Sequence, residues 1–196
     1  MSTAALTAHE TPHAPPRTAI FGMTLFLASE AMLFAGLIGG YVVLRLSSPA
    51  WPPSPEYPTL PVFLTGINTI ILVSSSFTYH FAEVAVKKGK SGLFWLLVTV
   101  LFGTIFLGVQ AYEWTHLHHE GLWFNKGGVY GSSFFLLTGF HGAHVAIGVL
   151  MILVAFFRQL GGAYTAENHT YLILAGMYWH FVDVVWIFLY SVLYLI

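Results

Sequence analysis

Thr-Gly-Phe-His-Gly-Ala-His at residues 138–144 and Tyr-Trp-His-Phe-Val-Asp-Val-Val-Trp at 178–186 place ionisable side chains inside long apolar runs. His141 and His144 are three residues apart, as are His180 and Asp183, so on a helix each pair shares a face. Ionisable groups at membrane depth are costly and turn towards protein or water. Both runs therefore read as transmembrane helices with a polar side that something must satisfy.

Outward from these runs, three more stretches are long enough to cross a bilayer, which takes about 20 apolar residues. The five expected spans are about 18–46, 60–86, 92–114, 129–157 and 171–196. Only 8% of the 196 residues are charged, against about 25% in soluble domains. The expected fold class is all-α, an integral membrane bundle of five transmembrane helices, residues 18–196. Residues 1–17 form a polar tail without the apolar core of a signal peptide.

The connections and charges give an orientation. Residues 47–58, Ser-Ser-Pro-Ala-Trp-Pro-Pro-Ser-Pro-Glu-Tyr-Pro, hold five prolines, which exclude helix. Residues 115–128 read as an interfacial loop carrying His116, His118, His119 and Glu120. Arg17, Lys87, Lys88, Lys90 and Arg158 flank one side of the membrane, Arg45 and Lys126 the other. The positive-inside rule then puts the N-terminus in the cytoplasm and the C-terminus outside. Small-residue steps at Gly36/Gly40, Gly139/Ala143 and Gly142/Ala146 are the expected helix seams.

A net charge of −1 offers nothing for nucleic acid, and the absence of cysteine excludes disulfides, thiolate metal sites and iron–sulfur clusters. Glu30, His141, His144, His180 and Asp183 form the expected intramembrane polar cluster. For Glu30, desolvation favours a carboxyl hydrogen-bonded to a neighbouring helix, with a proton relay as the alternative. Asn68 and Gln110 are candidate interhelical hydrogen-bond partners. For the histidines and Asp183 three readings stand: haem or metal ligation, a proton path, or a hydrogen-bonded cluster pinning the fourth helix to the fifth. Haem is disfavoured by the three-residue spacing, and the Glu-x-x-His pairs of carboxylate di-metal bundles are missing from the spans.

The chain resembles subunit III of the haem-copper cytochrome c oxidases. The resemblance rests on Phe-Gly-Met-Thr-Leu-Phe-Leu-Ala-Ser-Glu at 21–30, Trp-Pro-Pro at 51–53 and Gln-Ala-Tyr-Glu-Trp at 110–114. It continues through Gly-Val-Tyr-Gly-Ser-Ser-Phe-Phe at 128–135, Gly-Phe-His-Gly-Ala-His-Val at 139–145, Phe-Phe-Arg-Gln-Leu at 156–160 and the run at 178–186. The resemblance implies the five-helix bacterial form and hence a bacterial plasma membrane. It further implies a non-catalytic subunit with no haem or copper of its own, those cofactors residing in partner subunits. Such a subunit would pack on the catalytic subunit I, in a complex with subunit II, bind phospholipid and sustain proton uptake and turnover. Carried over by position, Glu30 matches the family's buried carboxylate and Arg158 an arginine that holds lipid phosphate; no residue is implied as catalytic, cofactor-binding or metal-binding. The rival readings are the matching subunit of a quinol oxidase, a nitric oxide reductase accessory protein, and a haem-b membrane anchor.

Overall fold

Each of the five apolar stretches forms one helix in the computed structural model of the protein, which describes residues 17–196. The helices are α1 (Arg17–Ser47), α2 (Val62–Lys87), α3 (Leu93–His119), α4 (Gly128–Leu160) and α5 (Thr170–Tyr190), the last extended by a π-helical turn at Ser191–Leu195. A helix of 26 residues such as α2 is about 39 Å long, enough for a hydrocarbon core of about 30 Å with its interfaces. The polar tail assigned to 1–17 lies outside the described residues, except for Arg17, which begins α1.

α3 runs to His119, further than the sequence reading places its end. Its buried positions, Leu96, Thr99, Gly103, Phe106, Gln110, Glu113 and Leu117, keep one helical stripe to the end. Burial of Leu117 carries the helix through 115–119, so His116, His118 and His119 stand on its last turn and not in a loop.

α5 occupies the middle of the bundle, packing on α1, α2 and α4, while α3 packs on α2 and α4. Trp179 is the hub. Its ring lies against Gly103 of α3 and Gly148 of α4, where an added Cβ would come within 2.8 and 2.6 Å of it. Its indole donates to Ser75 Oγ of α2 at 2.9 Å. Gly176 makes room for Tyr79 in the same way. These are the seams, and they correct the expectation from small-residue steps. A Cβ on Gly36, Gly40 or Gly142 would meet nothing within 4 Å, and only Gly139 nears a side chain, Trp114 at 3.3 Å. Spacing of small residues reports where helices could approach; the large aromatic rings decide where they do.

α1 is peripheral, with only Phe34 and Tyr41 buried. The proline-rich connection ties its end to the bundle. Trp51 Nε1 donates to Tyr41 Oη at 3.1 Å, and Trp51 and Tyr57 pack on Tyr130 of α4. At the opposite end Gly89, at φ +69°, closes α2 in a left-handed turn that a side chain would strain.

Candidate functional site

Glu30, His141, His144, His180 and Asp183 all lie within about 5 Å of the midpoints of their helices at 1.5 Å per residue. At that depth hydrogen bonding must come from protein or from a hydrated crevice. The five side chains lie in three separate places, four of them hydrogen-bonded within the protein, and no hydrogen bond joins the places into one cluster among the described residues.

Glu30 of α1 meets His144 of α4. His144 Nε2 stands 3.0 Å from Glu30 Oε2, and His144 Nδ1 lies 2.6 Å from the Phe140 carbonyl oxygen. A carbonyl only accepts, so Nδ1 carries a hydrogen. Nε2 and the carboxylate then need one proton between them, on one partner or the other. Phe34 packs edge-on to the imidazole, and Tyr178 of α5 donates to the His144 carbonyl at 3.1 Å. The pair stays at the bundle surface, with side chains 13% and 20% exposed.

His180 and Asp183 of α5 meet Ser76 of α2, a residue the sequence reading passes over. Ser76 Oγ donates to Asp183 Oδ2 and lies 2.9 Å from His180 Nδ1. A serine hydroxyl has one hydrogen, so with that hydrogen on Asp183 it accepts from His180 Nδ1–H. Asp183 is buried, while His180 is half-buried on the outer edge of the α2–α5 seam.

His141 stands apart. It is fully buried, stacked on Trp186 with ring centroids 4.7 Å apart and met edge-on by Phe106. Neither ring nitrogen has a hydrogen-bond partner among the described residues. Its contacts are those of an aromatic core residue.

Glu113 is a buried carboxylate that the sequence reading did not single out. Tyr194 Oη donates to its Oε1 at 2.7 Å, and Thr65 Oγ1 and Gln110 Nε2 approach its Oε2 at 3.2 and 3.4 Å. The set pins the α2, α3 and α5 ends of the bundle together. Next to it Asn68 Nδ2 donates to the Phe106 carbonyl at 3.1 Å. The signal available in the sequence was register: Glu113 falls on the stripe shared by Phe106, Gln110 and Leu117.

Arg158 is exposed at the end of α4, its guanidinium 5.6 Å from the Tyr164 ring centre and 5.2 Å from that of Tyr171. Burial pushes the Tyr164 hydroxyl up to about 12, with the nearby Arg158 charge acting the other way. Stacking on aromatic faces holds a guanidinium in place and leaves its N–H groups available for an oxyanion. Elsewhere, Leu107, Ala111, Trp114, Gly139, Gly142 and Ala143 line an open groove of about 290 Å³ between α3 and α4. Among the described residues no three His, Asp or Glu side chains converge as a metal set; His116 pairs with Glu120 at 3.4 Å.

The family model for cytochrome c oxidase subunit III matches residues 3–196. The chain is 42% identical to cytochrome c oxidase subunit 3 of Thermostichus vulcanus over 187 residues, 94% of this chain and 90% of that one. It is 43% identical to the Synechocystis sp. protein of the same name over 187 residues, 94% of this chain and 78% of the other. Against the Corynebacterium diphtheriae counterpart the identity is 39% over 188 residues, 92% of this chain and 89% of that one. A match of this extent, on a chain whose five helices are long and apolar enough to cross a membrane, places the chain in the cytochrome c oxidase subunit III family.

Proposed function

We propose that the protein is the non-catalytic subunit III of a proton-pumping haem-copper terminal oxidase that reduces oxygen to water. In this reading it packs on the catalytic subunit I in a complex with subunit II, in a bacterial plasma membrane, with its N-terminus in the cytoplasm. Haem and copper belong to the partners. The observation that carries the reading is the outward placement of ionisable groups at mid-membrane depth, Glu30 with His144 and, on the α2–α5 seam, His180 backed by the buried Asp183, on a chain whose family is that of an oxidase subunit. Polar groups there suit a protein neighbour far better than acyl chains.

Two features support phospholipid binding. Arg158, stacked on Tyr164 and Tyr171, presents its N–H groups at a helix end where a phosphate can be gripped by a bidentate contact. The apolar α3–α4 groove, about 290 Å³ in volume, has a lining that suits an acyl chain. The function follows: a wall of five helices with ordered lipid beside the catalytic subunit, keeping that subunit's helices and its proton-uptake path in place over many turnovers. Affinity purification of the tagged chain from native membranes tests this. Haem-bearing subunits should copurify in constant ratio, with tightly bound phospholipid; recovery of the chain without haem would overturn the reading.

A further inference from the structure

Two atoms of the α2–α5 seam near the membrane midplane lack a hydrogen-bond partner among the described residues, the buried Asp183 Oδ1 and the outward His180 Nε2. In the Ser76–His180–Asp183 set the serine hydroxyl links the Asp183 carboxyl to His180 Nδ1. The remaining nitrogen, His180 Nε2, makes no hydrogen bond among the described residues; with the carboxyl ionised it accepts, and with the carboxyl protonated the line reverses and it donates. The Glu30–His144 pair differs, because there both ring nitrogens are occupied.

The surroundings of His180 extend the observation. At 100° per residue, Phe77 and His80 of α2 point to the same outward side as His180, Val184 and Ile187 of α5. His80 is exposed, one turn along α2 from Ser76, and makes no hydrogen bond among the described residues. Phe77 is 63% exposed and Val184 51%. This side thus has an apolar margin around two imidazoles, one of them about 4 Å from the midpoint of its helix. Acyl chains carry neither donor nor acceptor, and a phospholipid headgroup sits about 15 Å from the midplane. Neither can satisfy His180.

We propose that this outward side of α2 and α5 is a docking surface for a transmembrane helix of another chain, one that sets a polar side chain against His180 Nε2. The partner is a largely apolar helix carrying a hydroxyl or an amide at mid-membrane depth, groups that serve either sense of the hydrogen-bond line. Such a group completes a four-membered line, partner to His180 to Ser76 to Asp183, that links the partner to a carboxyl group buried in this chain. The inference builds on the proposed oxidase reading and identifies which face the neighbouring subunit covers.

Photoreactive amino acids at Phe77 and Val184, with Leu101 of α3 and Leu150 of α4 as exposed controls, test it in native membranes. All four positions are surface side chains, so the substitutions leave the core intact. After irradiation, adducts are identified by mass spectrometry in the purified complex. Positions 77 and 184 should join to one membrane-spanning chain near a hydroxyl or amide residue, and 101 and 150 to lipid. His180→Phe keeps an aromatic ring but removes the hydrogen-bonding nitrogen, and should release that chain in detergent washes that the native complex withstands. Only lipid adducts at 77 and 184 would overturn the proposal, as would partner adducts confined to 101 and 150. An adduct at 77 and 184 to a chain outside any haem-bearing complex would uphold the docking surface and overturn the oxidase reading.

Discussion

His144 Nε2 stands 3.0 Å from Glu30 Oε2 while its Nδ1 is held by the Phe140 carbonyl, so two residues 114 positions apart share one proton near the middle of the membrane. Either placement of that proton leaves the pair neutral overall, which removes the cost of an isolated ion at that depth. Glu30→Gln should therefore be tolerated, since the amide N–H can donate to Nε2. Glu30→Leu leaves Nε2 without a donor and should cost about 1–3 kcal/mol. Thermal release of the subunit from the purified complex measures the difference; equal loss in both variants would mean the charge itself was structural.

Gly148→Ala should destabilise the bundle and Gly142→Ala should not. The first puts a methyl 2.6 Å from the Trp179 ring, whereas the second meets nothing within 4 Å. Overpacking of this kind costs about 1–3 kcal/mol. Thermal unfolding in detergent should show a lowered midpoint for the first variant only.

The five helices and their apolar character were legible because hydropathy over 20 residues is a property of local composition. The depth of Glu30, His144 and Asp183 was legible for the same reason. Pairing across helices was not: Ser76 reads as one more small polar residue until the α2–α5 packing brings it to Asp183. Glu113 was missed because a carboxylate near a helix end resembles an interfacial residue, and only the continuation of the α3 stripe to Leu117 buries it. The seams at Gly103, Gly148 and Gly176 depend on the two aromatic rings they receive, from Trp179 and Tyr79, which no single-helix pattern contains.

Arg158→Ala should reduce the phospholipid retained by the purified complex, and Arg158→Lys should restore only part of it. An ammonium keeps the charge but loses the planar fork that lies over the Tyr164 and Tyr171 rings and, in the proposed reading, grips phosphate in two places. Lipid phosphorus per complex is the measurement. Unchanged phosphorus in the alanine variant would reduce Arg158 to an interfacial anchor.

The up-and-down order of the helices puts Lys87, Lys88, Lys90 and Arg158 at the end shared with Arg17. With that end cytoplasmic, a membrane-impermeant thiol reagent should label Glu120→Cys in intact cells and miss Lys88→Cys. No native cysteine interferes. The reverse pattern would invert the orientation.

Oxygen consumption by an oxidase depleted of this subunit, with its haems intact, is the most direct measurement of the proposed role. This chain has no cysteine, and no three His, Asp or Glu side chains converge as a metal set among its described residues. In the proposed reading, electron transfer and oxygen reduction belong to the partner subunits. The first turnovers of the depleted enzyme should proceed with a near-normal haem spectrum, followed by slowed proton uptake and progressive loss of activity over many cycles. Absence of activity from the very first turnover would contradict the non-catalytic role.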